Sequence, residues 1–194
     1  MRNDTELMAA VSRGDMDAFT EIVTRHQHYV WKLAYRFNGD YHEAEDVACE
    51  TFLRVLEAAP RYRPVGEFCA YLRVVATRLC LDRAKKKCPL YSDQIPESTS
   101  PDPSPNETYE WQQRASIVRL ALGRLTPGQR MAVILCYYQE LNHAQVATAM
   151  DTTIKAVERL LARARQNLKL ELNKCLREDA SQTGGFALLA RLYK

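Results

Sequence analysis

Apolar side chains recur at intervals of three and four along most of the chain, and the alternation expected of strands is almost absent, so the pattern predicts an all-α protein. Phe19, Ile22, Val23, Val30, Leu33, Ala34 and Phe37 predict a long amphipathic helix that stops at Asn38-Gly39, where glycine can adopt the left-handed backbone that ends helices. Ala44, Val47, Ala48, Val55, Leu56 and Ala59 predict a second helix, closed by Pro60. Phe68, Leu72, Val75, Ala76 and Leu79 predict a third, running into Lys85-Lys86-Lys87. These make a first helical domain over residues 1–87.

The periodicity dissolves over residues 88–108, CPLYSDQIPESTSPDPSPNET, where five prolines fall among Ser and Asp, and this stretch reads as a flexible linker. Helical spacing resumes at Ile117, Leu120, Ala121 and Leu125, and Thr126-Pro127-Gly128-Gln129 has the form of a capping box. A second domain therefore spans residues 109–176. Residues 177–194 form a tail in which Phe186, Leu189, Leu192 and Tyr193 follow Gly184-Gly185. A small packing helix or frayed end and a regulatory tail are both open readings of it.

Within the second domain, Leu141 to Leu168 predicts two helices joined by a tight turn. The first runs from about His143 to Met150, with Val146, Ala147 and Met150 on one face, and the small Ala147 permits a close crossing. Asp151-Thr152-Thr153 supplies the turn, since Asp tolerates left-handed backbone and Thr can accept from the next helix's first amides. In the second helix Ile154, Val157, Leu161, Ala164 and Leu168 form the stripe expected to be buried, and Lys155, Arg159 and Arg163 form a basic row on another face. That row suits a phosphate-lined groove, so the pair reads as a helix-turn-helix for duplex DNA. A solvated face of a purely structural hairpin is the competing reading.

Charge divides the chain more sharply than its net +3 suggests. Lys plus Arg against Asp plus Glu count 14 and 13 over residues 1–87, 0 and 5 over 88–110, and 13 and 6 over 111–194. Inside the first domain Asp40, Glu43, Glu45, Asp46, Glu50 and Glu57 face only Arg54, whereas Arg61, Arg63, Arg73, Arg78, Arg83 and the lysine cluster follow. An acidic helix beside a basic one fits a protein partner with a basic face on one side and nucleic acid on the other. Two helices pairing with each other in solution would have the same pattern.

At 46% hydrophobic and 26% charged the composition is that of a soluble globular protein. Neither a signal-peptide core nor a membrane-length apolar run is visible, which predicts a cytoplasmic chain without membrane insertion. Six cysteines are scattered without a CxxC pair or a histidine at zinc-ligand spacing, and they read as reduced thiols, mostly buried, with no metal. A redox or metal sensor stays open, because the proximity of Cys69, Cys80 and Cys88 is not a property of sequence. No Gly-rich phosphate loop and no supported Ser-His-Asp or Cys-His arrangement is present, so neither enzyme chemistry, a small-molecule substrate nor a cofactor is expected.

Two motifs, GDYHEAEDVACETFLRVLE with RYRPVGEFCAYLRVVATRLCLDRAKKK, and LTPGQRMAVILCYY with the helix-turn-helix ending RARQNL, occur in order on either side of the linker. In this the chain resembles bacterial RNA polymerase sigma factors of the extracytoplasmic-function type, over about Asp4 to Leu172. The resemblance implies a factor that binds core RNA polymerase and directs it to promoter DNA. It implies that Glu43, Asp46, Glu50, Phe52 and Leu53 dock on the polymerase clamp. Arg61, Tyr62, Arg63, Tyr71, Arg73, Arg78, Lys85, Lys86 and Lys87 are the candidates for the melted −10 element, with Phe68 either in that pocket or, more simply, in the core. Thr152, Thr153, Lys155, Arg159 and Arg163 would contact the −35 element. An anti-sigma factor is a further partner that the family admits. Departures occur at Cys49, where the pattern has Gln, at Arg78 for Asn, Gln145 for Glu and Asp151 for Gly. The alternative to this function is a stand-alone helix-turn-helix regulator that does not use the polymerase.

Overall fold

The computed structural model describes residues 2–87 and 118–179, with side chains through residues 86 and 171. The linker 88–108, most of the C-terminal tail and the predicted apolar segment at 186–193 lie outside the described residues. Every regular element among those described is helical. In chain order these are α1 (Asp4–Val11), α2 (Met16–Asn38), α3 (Tyr41–Ala58), a 3₁₀ turn (Ala59–Arg61) and α4 (Phe68–Lys87). After the linker come α5 (residues 118–123), α6 (Pro127–Val133) continuing into a π-turn (Ile134–Tyr138), α7 (His143–Ala149) and α8 (Ile154–Asp179).

Local chemistry explains the boundaries. Asp15, Asp40 and Asn142 each accept an amide three residues on, capping α2, α3 and α7. Gly39 ends α2 at φ 73°, as its position after Asn38 predicts. At the predicted capping box the Thr126 amide donates to Gln129 Oε1 at 3.3 Å, and the same oxygen accepts from Asn167 Nδ2 of α8 at 3.1 Å. One side chain thus caps α6 and fixes α8 against it.

The first four helices pack around Ile22, Leu33, Val47, Val55, Leu72 and Leu79, all essentially inaccessible. α1 has no counterpart among the predicted helices, yet it buries Leu7 and Met8. Its signal is local: Asn3 and Glu6 form a reciprocal capping box, at 2.8 and 2.9 Å. The second bundle, α5 to α8, closes over Met131, Ile134, Leu135, Val146 and Leu161.

The two bundles touch, with α4 lying against α6 and α7. Arg130 of α6 is the joint. It donates to the carbonyls of Leu122, Gly123 and Leu125 at 2.9, 2.6 and 3.3 Å in its own bundle, and to the Phe37 carbonyl at the end of α2 at 2.8 Å. Its guanidinium also stacks on the Phe37 ring at 5.5 Å. Nearby, Arg36 lies 5.0 Å from the Tyr138 ring centroid, and Arg119 donates to the Tyr35 hydroxyl at 3.3 Å.

Two glycines give opposite expectations. A Cβ on Gly39 meets nothing within 4 Å, so Gly39→Ala tests backbone conformation alone, and the positive φ should make it destabilising by about 1 kcal/mol. Helical Gly123 has equally open space without a positive φ, so Gly123→Ala should stabilise by about 0.5–1 kcal/mol. Urea unfolding midpoints of the two variants check both signs.

Candidate functional site

Three surfaces carry the residues singled out by sequence. The first lies on α2 and α3. Glu43, Asp46 and Glu50 recur at three and four along α3 and meet Arg83 of α4, whose guanidinium is 2.6 Å from Glu50, 3.8 Å from Asp46 and 3.9 Å from Glu43. Arg54 adds a 2.7 Å bond to the other oxygen of Glu50. The hydrogen bond from Arg83 holds the Glu50 carboxyl below the usual carboxylate range, against the opposing effect of partial burial. The pairing between acidic and basic helices is therefore real but partial. Asp46 keeps 69% of its side chain exposed and Glu45 keeps 51%.

Beside this acidic rim, α2 and α3 leave an open groove of about 720 Å³ walled by Phe19, Val23, Trp31, Ala48, Phe52 and Leu53. Its lining is mostly apolar carbon. Leu53 is 52% exposed, whereas Phe52 is only 5% exposed. Phe52 belongs chiefly to the core and serves the groove as floor, because its position on α3 turns it toward α2. The α2 wall was not anticipated, since Phe19 and Val23 read from sequence as ordinary stripe residues.

The second surface surrounds the start of α4. Arg61 and Arg63 are exposed in the segment before it, and Val65 at its tip is 92% exposed. The Tyr62 and Tyr71 rings lie 5.2 Å apart, and Phe68 touches both at 5.9 and 6.1 Å. Phe68 is buried, which settles it as a core residue supporting the two half-buried tyrosines. Burial pushes both tyrosine hydroxyls above their ordinary range. Arg73 donates to the Tyr29 hydroxyl at 3.0 Å and so is committed partly to structure. Arg78 lies further along α4, exposed, and Lys85 pairs with Asp82 at 3.2 Å. Lys86 is exposed, and the Lys87 side chain lies outside the described residues. From Tyr71 to Lys85 is about 21 Å of helix, so the set forms a track along α4 and not one pocket.

The third surface is the turn and first half of α8. Asp151 takes φ 54°, as the turn requires, and Thr153 Oγ1 accepts the Ala156 amide at 3.2 Å. Thr152, Thr153, Lys155, Arg159 and Arg163 are all exposed. Val157, Leu161 and Ala164 are buried as predicted, but Ile154 is 48% exposed. It sits in the first turn of α8.

Two further expectations are corrected or bounded. The described thiols are not mostly buried: Cys49 is exposed, Cys69 and Cys136 are partly exposed and Cys80 is buried, while the side chains of Cys88 and Cys175 lie outside the described residues. Among the described residues no cluster of His, Cys, Asp or Glu is arranged to hold a metal ion, and no helix is long and apolar enough to cross a membrane.

The Sigma-70 region 2 family model matches residues 22–88, and the Sigma-70, region 4 model matches residues 115–168. The chain belongs to the sigma-70 family, in its extracytoplasmic-function type. Among its relatives are ECF RNA polymerase sigma factor SigE of Mycolicibacterium smegmatis, 31% identical over 85% of this chain and 65% of that protein, and SigW of Bacillus subtilis, 25% identical over 84% and 92%. The chain thus spans just under two thirds of the mycobacterial relative. Among solved structures, CnrH in complex with the cytosolic domain of CnrY superposes with TM-score 0.62 at 22% identity, over 88% of this chain and 97% of that one. RpoE bound to the anti-sigma factor NepR from Bartonella quintana gives 0.59 at 17%, over 80% and 96%. These share the fold.

In this sigma factor the first two surfaces lie on region 2 and the third on region 4, and α1 precedes the matched stretch. The depressed carboxyl of Glu50 sets a pH signature. The Arg83–Glu50 bridge stabilises fully above the ordinary glutamate pKa of about 4.3 and is lost as pH falls through the lower folded-state value. The urea stability of wild type over Arg83→Met, of order 1 kcal/mol given partial exposure, should hold from about pH 8 to 5 and shrink below about pH 4.

Proposed function

We propose that the chain binds core RNA polymerase through the apolar groove and acidic rim of region 2 and directs it to promoters through α4 and α8. It would do so in the cytoplasm, as a transcription initiation factor. The observation that supports this most directly is the juxtaposition on α3 of exposed Leu53, an open apolar groove and solvent-facing Asp46. A repressor that only grips duplex DNA has no use for an acidic, apolar face of this kind. Such a face suits a partner helix with apolar and basic positions, as the polymerase clamp would offer.

In this reading residues 1–87 engage the polymerase and the −10 element, 88–108 link, and 109–176 read the −35 element. Arg61 and Arg63 approach strand phosphates, while Tyr62 and Tyr71 offer half-buried faces for an unstacked base, supported from behind by Phe68. Lys155, Arg159 and Arg163 lie along α8 for the phosphates or base edges of a major groove, with Thr152 and Thr153 at its entrance.

Co-purification with sigma-free core polymerase tests the first half. Asp46→Arg and Leu53→Glu, both at exposed positions, should each weaken core binding at least about tenfold while leaving thermal unfolding within a few degrees of wild type. Wild type that ignores polymerase yet binds duplex DNA alone would make the chain a stand-alone regulator. For region 4, Arg159→Ala in the holoenzyme should weaken promoter binding and lower the salt slope by about one.

A further inference from the structure

One cluster outside these surfaces joins groups that lie far apart in the chain. His26 of α2 sits between Asp4 of α1 and Cys69 of α4, with Nε2 3.0 Å from Asp4 Oδ2 and Nδ1 3.6 Å from Cys69 Sγ. Arg25 anchors the same aspartate at 3.2 Å. A carboxylate can only accept, so in the neutral imidazole Nε2 carries the proton and Nδ1 turns its lone pair toward the thiol. This is the acid–imidazole–thiol order of an activated cysteine nucleophile. The Phe68 ring meets the imidazole edge-on at 5.3 Å, which helps fix its plane, and Cys69 itself is partly exposed.

Burial pushes the Cys69 thiol up, Asp4 and Glu67 act the same way, and Arg73 opposes them. The sulfur therefore keeps its proton at neutral pH, and reaction requires a base that takes the proton as attack proceeds. His26 is placed to be that base, with Asp4 stabilising the imidazolium that forms. Cys80 of the same helix is a contrast, fully buried with its thiol pushed up to about 12.

We propose that Cys69 is a peroxide-reactive thiol activated by His26 and oriented through Asp4. The thiol proton passes to His26 Nδ1 as the sulfur attacks one oxygen of a hydroperoxide, and the O–O bond breaks. The departing oxygen takes the proton from His26 and leaves as water or an alcohol. Sulfur is oxidised by two electrons to the sulfenic acid, and the peroxide is reduced by two. The product lacks the original S–H bond to His26, against which Phe68 packs beneath Tyr62 and Tyr71. An effect of oxidation on promoter contacts rests on the function proposed above, whereas the thiol chemistry does not.

The test is the rate of sulfenic acid formation at each cysteine of the intact protein in hydrogen peroxide at pH 7, trapped with dimedone and read by mass spectrometry. Exposed Cys49 is the internal reference. Cys69 should react at least about tenfold faster than Cys49, and His26→Gln should remove that advantage. Asp4→Asn, which leaves the imidazole in place, should reduce it, so the proposal stays testable if His26→Gln fails to fold. Cys69 reacting no faster than Cys49, or at an unchanged rate in Asp4→Asn, overturns it. Promoter-dependent transcription before and after peroxide, in wild type and Cys69→Ser, then separates the chemistry from its consequence. A reactive Cys69 with no transcriptional effect leaves the thiol assignment intact.

Discussion

The guanidinium of Arg130 is the constraint on which the arrangement of the two bundles depends. A partly desolvated cation must find acceptors, and here they are backbone carbonyls at the ends of two helices, α5 in its own bundle and α2 in the other. Helix C-termini leave carbonyls without intrahelical partners and carry partial negative charge. One side chain thus satisfies two helix ends at once, and in doing so sets where region 4 sits on region 2. Desolvation lowers its proton affinity from the ordinary arginine value, but that value is too high for its charge to be in question.

Arg83 works by similar logic within region 2. Without it, Glu43, Asp46 and Glu50 would repel one another along α3 and against the carboxylates around them. With it, part of the negative charge is spent inside the bundle and the remainder, at Glu45 and Asp46, faces outward beside an apolar groove. The pairing of acidic with basic helices that the sequence left open thus takes up Glu50 most closely, while Glu45 and Asp46 keep most of their exposure.

Much of this was legible in the chain because it is encoded locally. The stripes of α2 to α4, the stop at Gly39, the Thr126–Gln129 box and the Asp151 turn all appear where spacing and caps placed them. What was not legible depends on which residues meet across the fold. Phe52 and Leu53 are neighbours with the same apolar character, and only the packing of α2 on α3 makes one floor and the other rim. Ile154 fits the buried stripe by period but is half exposed in the first turn of α8. Cys69 and His26 meet only because α2 and α4 pack together. α1 was missed for another reason: eight residues give too short a period, and its capping box was the better signal.

Asp151 links two of these features. Its left-handed backbone shapes the turn between α7 and α8, and its carboxylate lies 3.6 Å from Arg78 of α4. Both side chains are well exposed, at 49% and 79%, so salt screens the pair. Added salt would then do two opposing things to the proposed promoter complex. It weakens phosphate contacts by diminishing the gain from counterion release, and it loosens the internal ion pair that occupies Arg78 in the unbound protein. The measured ionic-strength dependence would accordingly be shallower than the number of phosphates contacted, with part of the counterion inventory already held by the protein itself.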